Sequence, residues 1–328
     1  MNQVSDPLDI TDREQLLKLL NQQRKGQARI IDEREMRESL KQRVRGQDHI
    51  VDHLSNFIRL QWGKERRGKP IANILFVGPP ATGKTELAKA LAEYLFEDEK
   101  NMLRFDCSEF SGAEAKTRLI GTPSGYVASP QGGQLTRPML SNPKRLVLFD
   151  EIEKSYAGIF DLFLSLMGEG RLTEQGSGKT ADFTQSVVVL TSNAQHDAIS
   201  ALTTQIEDAF ELGQAVRSVL RDSQTFRPEI ISRFDQVYVF KPLEGIVNAE
   251  IAALKIAKAA REYGVEIEFI DPGIVFQIME LADAAKDTRE LARLVDIRLG
   301  DLLLRAREAG EKSVRIELGS DGQPRLAK

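Results

Sequence analysis

The chain has 328 residues, 41% hydrophobic and 29% charged, which is the composition of a soluble globular protein long enough for about two domains. Its 45 basic and 49 acidic residues leave a net charge of −4, so no bulk positive charge points to nucleic acid. The single cysteine, Cys107, excludes an internal disulfide. Because no signal-peptide pattern or membrane-length apolar run occurs either, we expect a cytoplasmic protein with no membrane partner.

Residues 1–34 are predicted to form an N-terminal helical extension. The stretch TDREQLLKLLNQQRKG begins with a capping box, Thr11 with Glu14, and carries a narrow stripe of leucines. Such a stripe is able to dock on the body of the protein, on a neighbouring subunit or on an adaptor. The pattern does not choose among these three partners.

Two further helices are predicted before the first strand. A second capping box, Asp32 with Glu35, begins one of them, and the other follows the motif VRGQ. In both segments apolar residues recur every three or four positions, namely Met36, Leu40 and Val44 in the first and Ile50, Leu54, Phe57 and Ile58 in the second.

A phosphate-binding loop is predicted directly after the apolar run NILFV (73–77). The loop GPPATGKT has the spacing G-x-x-x-x-G-K-[ST], and an amphipathic helix follows it. In such a loop, backbone N–H groups wrap the phosphates at the positive end of the helix dipole. The residues assigned to the nucleotide are Gly78, Pro79, Pro80, Ala81, Thr82, Gly83, Lys84, Thr85 and Glu86.

A second GKT occurs in EQGSGKTADF (174–183), without the context that a phosphate loop requires. Thr173 stands where the first glycine belongs, no apolar strand precedes the motif, and no helical period follows it. We therefore predict that GSGKT (176–180) is the tip of a hairpin and that the chain has one nucleotide site.

An acidic pair, Asp150 and Glu151, ends the apolar run LVLF. The carboxyl ends of strands are where open α/β sheets bind ligands. Thr85 and Asp150 are predicted to hold Mg²⁺ and Glu151 to activate the attacking water. The alternative, an acidic pair that favours the dipole of a following helix, is weaker because a phosphate loop lies upstream. A later apolar strand ends in Asn193, whose amide is able to hold water or a phosphate oxygen.

Five apolar runs alternate with helical segments, which predicts an α/β fold with a mostly parallel five-stranded sheet and helices on both faces. This large domain is expected to span residues 35–243. A small, mainly helical domain with short strands in VEIEFI and KSVRIEL is expected over residues 244–328. The five runs are NILFV, NMLRFD, LVLFD, VVVLTS and QVYVF.

The motifs together resemble the AAA+ superfamily, within it the Clp branch of protein unfoldases, and most closely the second ATPase domain of ClpB-type disaggregases. The resemblance extends from about Glu35 to the C-terminus and rests on VRGQ, GPPATGKTELAKALAE, RLIGTPSGYV, GGQLT, LFDEIEKS, GRLTE, TSNA, FRPEIISRFD and DTRELARLV. It implies an AAA+ P-loop domain that hydrolyses ATP with Mg²⁺, remodels proteins and assembles as a homo-oligomer, normally a hexamer. Because no first ATPase domain or coiled-coil insertion is seen, a single-ring protein is expected.

The resemblance also implies residue roles. Val44 and Arg45 would form walls of the adenine pocket, and Asn193 would be the first sensor. Arg233, in SRFD, would be an arginine finger that reaches the nucleotide of a neighbouring subunit. Arg289, in DTREL, would be the second sensor.

Both of these arginines have rivals in the sequence. Arg227 lies six residues before Arg233 and is an alternative finger. Arg289 follows Asp-Thr where the family usually has small residues, so Arg293, one turn later, is an alternative second sensor. For any of them a surface ion pair is the ordinary alternative role.

The glycine-rich stretch GTPSGYVASPQGG (121–133) has no GK pair and no flanking strand, so it is not a phosphate loop. The resemblance assigns Tyr126 and Val127 to a pore loop that grips a polypeptide substrate. Ala128 stands where the family commonly has glycine. The alternative for Tyr126 is a side chain packed in the protein's own core.

Three functions remain open, namely a motor that threads polypeptide through a pore, an unfoldase that feeds a ClpP-type protease, and an ATP-driven switch or scaffold on a nucleic-acid or macromolecular assembly. A protease docking loop needs an apolar residue after its glycine, whereas Gln214 follows Gly213. No helix-turn-helix, zinc cluster or basic run favours the nucleic-acid switch. His49 and His53 are predicted to lie on a solvated helix face and not to form a zinc pair.

Overall fold

The structure, a computed structural model, describes residues 30–123, 132–223, 225–285 and 290–327. Three predicted features lie outside these residues: the N-terminal extension up to residue 29, the pore-loop pair Tyr126 and Val127, and the second-sensor candidate Arg289.

The described helices and strands follow the order that the sequence patterns predict. The helices are α1 (Glu33–Arg43), α2 (Asp48–Trp62), α3 (Lys84–Phe96), α4 (Ala115–Ile120), α5 (Thr136–Ser141), α6 (Phe160–Glu169), α7 (His196–Thr203), α8 (Ala209–Asp222), α9 (Pro228–Ile231), α10 (Ile246–Glu262), α11 (Pro272–Ala285) and α12 (Glu290–Glu308). The strands are β1 (Ala72–Val77), β2 (Met102–Asp106), β3 (Leu146–Asp150), β4 (Arg171–Thr173), β5 (Thr180–Asp182), β6 (Val187–Ser192), β7 (Gln236–Val239), β8 (Glu266–Ile270), β9 (Ser313–Leu318) and β10 (Pro324–Leu326).

The main sheet has five strands in the order β2-β3-β6-β1-β7, and every neighbouring pair is parallel. These are the five predicted apolar runs, so the predicted α/β fold class is confirmed. Because the strands are parallel, their carboxyl ends lie along one edge of the sheet. The carboxyl ends of β1, β6 and β3 are neighbours there, so the residues that follow these three strands come together.

Each face of the main sheet is covered by a separate hydrophobic core. In β1, Ile74 and Phe76 point into one core together with α1, α2 and α3, while Leu75 and Val77 point into the other. The second core is completed by α4, α5, α6, α8 and α9. Since β1, β3 and β6 are buried on both faces, their sequences are continuously apolar and do not alternate.

The C-terminal part of the chain has its own core. This core joins α10, α11 and α12 to β8 and β9, with fully or almost fully buried residues such as Ile256, Ile278 and Val295. The small sheet has the order β10-β9-β8, in which β9 is parallel to β8 and antiparallel to β10. Strand β10 was not predicted, because it has three residues and begins with proline.

The second GKT lies in a hairpin, as predicted. Strands β4 and β5 pair antiparallel with Thr173 opposite Thr180, and Glu174 N donates to Lys179 O at 2.8 Å. The hairpin packs beside the base of the 121–133 stretch, because Gln175 N donates to Ile120 O at 2.8 Å. Lys179 is exposed at the tip.

The two histidines of α2 are exposed, as predicted, although each also contacts edge strand β7. His49 Nε2 lies 3.3 Å from Val239 O, and His53 Nδ1 lies 3.0 Å from Tyr238 Oη, both on edge strand β7. Burial lowers the pKa of His49. Within the described ranges no group of three His, Cys, Asp or Glu residues is arranged to hold a metal ion, and no helix there is long and apolar enough to cross a bilayer.

Candidate functional site

The loop between β1 and α3 has a backbone that depends on glycine. Gly78 has φ +138°, and a Cβ placed there would lie 2.4 Å from the carbonyl oxygen of Phe240. Gly83, with φ +97°, immediately precedes α3, and Ala81 is a non-glycine residue with φ +62°. This left-handed backbone curls the loop around the N-terminus of α3, where free N–H groups and the helix dipole favour an anion.

Lys84 begins α3, and its ammonium group turns back into the loop. Its Nζ donates to Gly78 O at 2.8 Å and to Pro79 O at 2.6 Å. Burial lowers its pKa to about 8, although the nearby carboxylates of Glu153, Asp150 and Glu151 act in the opposite direction. The ammonium is therefore held where a phosphate bound by the loop would meet it.

Gln47, which was not among the predicted site residues, fastens this loop to the segment after β7. Its side chain is fully buried, and Nε2 donates to Lys241 O at 2.9 Å and to Thr82 O at 3.2 Å. Its Oε1 accepts from Lys241 N at 3.2 Å. Gln47 stands in the motif VRGQ, and its amide, with two N–H donors and one acceptor oxygen, contacts several backbone groups at once.

The predicted adenine-pocket residues adjoin the loop. Val44 is buried, and its Cγ1 would lie 3.7 Å from a Cβ on Gly83. The Nε atom of Arg45 is buried without a hydrogen-bond partner among the described residues. Gly46 has φ +74°, and a Cβ there would lie 2.6 Å from Val247 of α10, so this segment lies between the loop and the C-terminal part of the chain.

The side chain of Glu86, one of the predicted nucleotide-binding residues, contacts α1. Its carboxylate accepts from Arg43 Nε at 3.1 Å, so it joins the end of α1 to the first turn of α3. Arg43 pairs with Glu93 and Glu99 as well.

Asp150 and Thr85 face each other at the carboxyl edge of the sheet. The side chain of Asp150 is 9% exposed, and its two oxygens lie 3.3 and 3.2 Å from Thr85 Oγ1. Its Oδ1 also accepts from Thr191 Oγ1 at 2.5 Å, and its Oδ2 accepts from Arg104 at 2.7 Å. A hydroxyl and a carboxylate supply the hard oxygen donors that Mg²⁺ prefers.

Glu151 has an unusual backbone that directs its side chain toward Asn193. Its φ is +55°, a conformation that costs about 1 kcal/mol or more in a non-glycine residue, and its N–H donates to Thr191 Oγ1 at 3.0 Å. Oε1 accepts from Asn193 Nδ2 at 3.2 Å, and Oε2 pairs with Lys154 Nζ at 2.6 Å. The structure thus brings the predicted water-activating carboxylate and the predicted first sensor into contact.

Two buried polar atoms beside this contact lack partners. Asn193 N donates to Glu153 Oε1 at 3.0 Å, while Asn193 Oδ1 and Glu153 Oε2 have no hydrogen bond within the described part of the chain. Buried polar atoms of this kind call for a ligand or an ordered water. Sequence reasoning missed five residues that shape the site, namely Gln47, Arg104, Glu153, Lys154 and Thr191.

The two finger candidates differ in their partners. Arg227 donates to Asp161 at 2.8 Å, whereas Arg233 is exposed and forms no ion pair with any residue that the structure describes. The Arg233 guanidinium lies over Gly168, since a Cβ added to Gly168 would be 3.2 Å from the Cζ atom of Arg233. Arg233 precedes the amino end of β7, which runs parallel to β1, so it lies at the sheet edge opposite its own loop.

Comparison with known proteins gives the family. The model of the AAA domain (Cdc48 subfamily) matches residues 69–237. Similar relatives are the chaperone protein ClpB of Streptomyces albus G, 36% identical over 83% of this chain, and the heat shock protein 100 of Trypanosoma brucei brucei, 34% identical over 96% of it. The probable chaperone protein ClpB 1 of Chlorobaculum tepidum is 34% identical over 80% of it.

The chain spans only part of these relatives. It covers 32% of the Streptomyces protein, 35% of the Trypanosoma protein and 62% of the Chlorobaculum protein. The match to the family model nevertheless covers more than half of the chain and contains β1, the loop, β3 and β6. The chain belongs to the AAA domain family of ATPases, in the Cdc48 subfamily.

Proposed function

We propose that this chain is the ATPase unit of a ring-forming motor that threads polypeptide through a central pore and thereby remodels proteins. The observation that carries the proposal is the meeting of three features at one sheet edge: the Lys84 ammonium in the loop, the Thr85 and Asp150 oxygens, and the contact between Glu151 and Asn193. Each is a required part of an ATP-hydrolysing site. The similarity to ClpB and heat shock protein 100 relatives supports protein remodelling as the output.

The residues present fit ATP and Mg²⁺. Thr85 Oγ1 and the Asp150 carboxylate would hold the metal, which when bound neutralises charge on the phosphates. Gly78 allows the loop to pack closely against Phe240, and Arg45, next to the buried Val44 that adjoins Gly83, has a buried Nε without a partner among the described residues. This Nε, where the base of a nucleotide would bind, favours a nucleotide over a simple anion.

The protein's own residues supply the remaining chemistry. Lys84 binds and orients the phosphates, and Glu151 accepts a proton from the attacking water as general base. Asn193 holds that water or a phosphate oxygen through its amide. Glu151 reaches the water when its contact with Lys154 opens, because the same carboxylate oxygen cannot serve both partners fully.

The position of Arg233 supports a ring. Crossing the four residues of β7 takes about 13 Å, so Arg233 does not reach the nucleotide of its own chain and would serve a neighbour. We propose a homo-oligomer, in the family's usual form a hexamer, located in the cytoplasm and acting on polypeptide. For the N-terminal extension, residues 1–34, we propose docking on an adaptor, with the body of the protein or a neighbouring subunit as the alternatives.

The structure offers no support for a protease partner. Gly213 lies inside α8, where a Cβ would be 3.2 Å from Val237 O. The segment that would have to form a protease docking loop is therefore a helix packed on β7. We propose a motor that works without a barrel protease.

One experiment tests which of the two GKT motifs binds the nucleotide. Lys84→Ala should weaken ATP binding by about a hundredfold, because it removes a buried, charge-assisted contact to phosphate. Lys179→Ala, the matched change in the hairpin, should leave the affinity unchanged because Lys179 is exposed at the tip. Equilibrium binding of a fluorescent ATP analogue measures both values. Normal binding by Lys84→Ala, or loss of binding in Lys179→Ala, would contradict the assignment.

Tyr126 distinguishes a threading motor from an ATP switch. It lies outside the described residues, but the base of its loop is closed by Gln134 N donating to Arg118 O at 2.9 Å and Leu135 N donating to Leu119 O at 3.0 Å. If the loop grips substrate, Tyr126→Ala should retain basal ATP turnover and lose unfolding of a fluorescent tagged substrate. Tyr126→Phe should retain both activities, because the aromatic ring makes the contact.

Two outcomes of the Tyr126→Ala experiment would contradict the pore-loop role of Tyr126. Substrate unfolding at the wild-type rate in Tyr126→Ala would rule out threading and favour an ATP switch that acts on an assembly. Global unfolding of the Tyr126→Ala protein, detected by circular dichroism, would show that Tyr126 belongs to the core.

A further inference from the structure

The carboxylate proposed to hold Mg²⁺ already has a cationic partner within this chain. Arg104 Nη2 lies 2.7 Å from Asp150 Oδ2. Arg104 belongs to β2, which pairs in register with β3, so the two side chains come from adjacent strands of the sheet. The Arg104 side chain is 46% exposed and that of Asp150 is 9% exposed. The guanidinium thus reaches inward from solvent to a buried carboxylate.

The other contacts of Asp150 are with neutral groups. Thr191 and Thr85 donate hydroxyls to it, and among the described residues Arg104 is the one cation that donates to it. A buried carboxylate without a cationic partner is costly, so the ion pair compensates the desolvation of Asp150. A divalent cation at Asp150 would serve the same purpose with twice the charge.

Two further carboxylates lie near the Arg104 guanidinium. Arg104 lines an open cavity together with Asp106 and Glu109. Glu109 is 67% exposed, and its nearest cation, Arg118, lies at 3.8 Å, which is a loose pair. An Arg104 side chain that leaves Asp150 therefore finds acceptors in this cavity without returning fully to bulk water.

We propose that Arg104 is an internal competitor of the divalent cation at Asp150. The guanidinium and the metal exclude each other at Oδ2, and metal binding displaces Arg104 toward Asp106 and Glu109. Arg104 is thus a positioning residue that lowers the affinity of the site for its metal and so favours metal release. The inference rests on the proposed function only in taking Asp150 as the metal-binding carboxylate.

The test is a Mn²⁺ titration of the full chain followed by electron paramagnetic resonance, with the metal alone and with ADP. Arg104→Gln should bind Mn²⁺ about tenfold more tightly or better, because a competing charge within 3 Å is removed. Arg171→Gln is the matched control, since its exposed guanidinium pairs with Glu169 on the surface and not with Asp150 or Glu109. It should change the affinity by less than about twofold.

A second readout does not depend on nucleotide. Arg104→Gln should have a lower melting temperature than wild type, and Mg²⁺ alone should raise that temperature more in the variant than in wild type, because the metal replaces the lost partner. Unchanged or weaker Mn²⁺ binding in Arg104→Gln would overturn the proposal, since a purely supporting residue weakens the site when it is lost.

If Arg104→Gln does not fold, a variant of the exposed Glu109 tests whether metal binding displaces the Arg104 guanidinium. Glu109→Gln removes an acceptor of the displaced guanidinium and should weaken Mn²⁺ binding. Unchanged or tighter binding would overturn the displacement path. Failure of the wild-type protein to bind ATP would instead defeat the proposed function, while the comparison of Mn²⁺ alone between variants would still decide the role of Arg104.

Discussion

Glu151→Gln should bind ATP and assemble as wild type does, but should turn ATP over about 10²- to 10⁴-fold more slowly. The amide removes the base that accepts the proton of water. It leaves Lys84 with its contacts in the loop and leaves Thr85 facing Asp150, so binding is preserved. The glutamine oxygen still accepts from Asn193 Nδ2, which lies 3.2 Å from Oε1, so the local geometry is retained.

The measurement is steady-state phosphate release beside the equilibrium affinity for ATP. Glu169→Gln is the matched control, since Glu169 is exposed and, among the described residues, pairs with Arg171 on the surface, and it should have wild-type turnover. Wild-type turnover in Glu151→Gln would remove Glu151 from the reaction. With ATP, the slow variant is also a trap, and the polypeptide that copurifies with it would name the substrate.

Arg233→Ala should lower turnover on the order of 10³-fold while each subunit still binds ATP, because an arginine finger acts on the transition state and not on ground-state binding. Arg227→Ala is the control that the structure provides. It breaks an exposed ion pair with Asp161, worth about 1 kcal/mol at most, and should leave turnover near wild type. If Arg227→Ala is the inactive variant, the finger has been assigned to the wrong arginine.

Mixing two inactive variants tests whether Arg233 acts between subunits. An Arg233→Ala subunit retains Glu151, and a Glu151→Gln neighbour retains Arg233, so the site between them is complete if the finger acts in trans. In a random equal mixture about a quarter of the sites are complete, and about that fraction of wild-type turnover should return. A mixture as inactive as its components would show that each chain needs its own Arg233.

The fold class and the position of the loop could be predicted from the sequence. Three of the five runs, those of β1, β3 and β6, are mostly apolar as in strands buried on both faces, which requires helices above and below the sheet. The two GKT motifs were also separated from local pattern alone, since only the first has a strand before it and a helix after it. These features are local, so neighbouring residues are sufficient to specify them.

Which side chains meet across strands could not be predicted from the sequence, because these contacts depend on the fold. Arg104 lies 46 residues from Asp150, and Gln47 lies 194 residues from Lys241, and no spacing in the sequence relates either pair. The same holds for Glu86, whose side chain pairs with Arg43 of another helix, 43 residues away. A motif specifies a backbone and a residue type, whereas the partner of a long polar side chain depends on which strands and helices the fold places beside it.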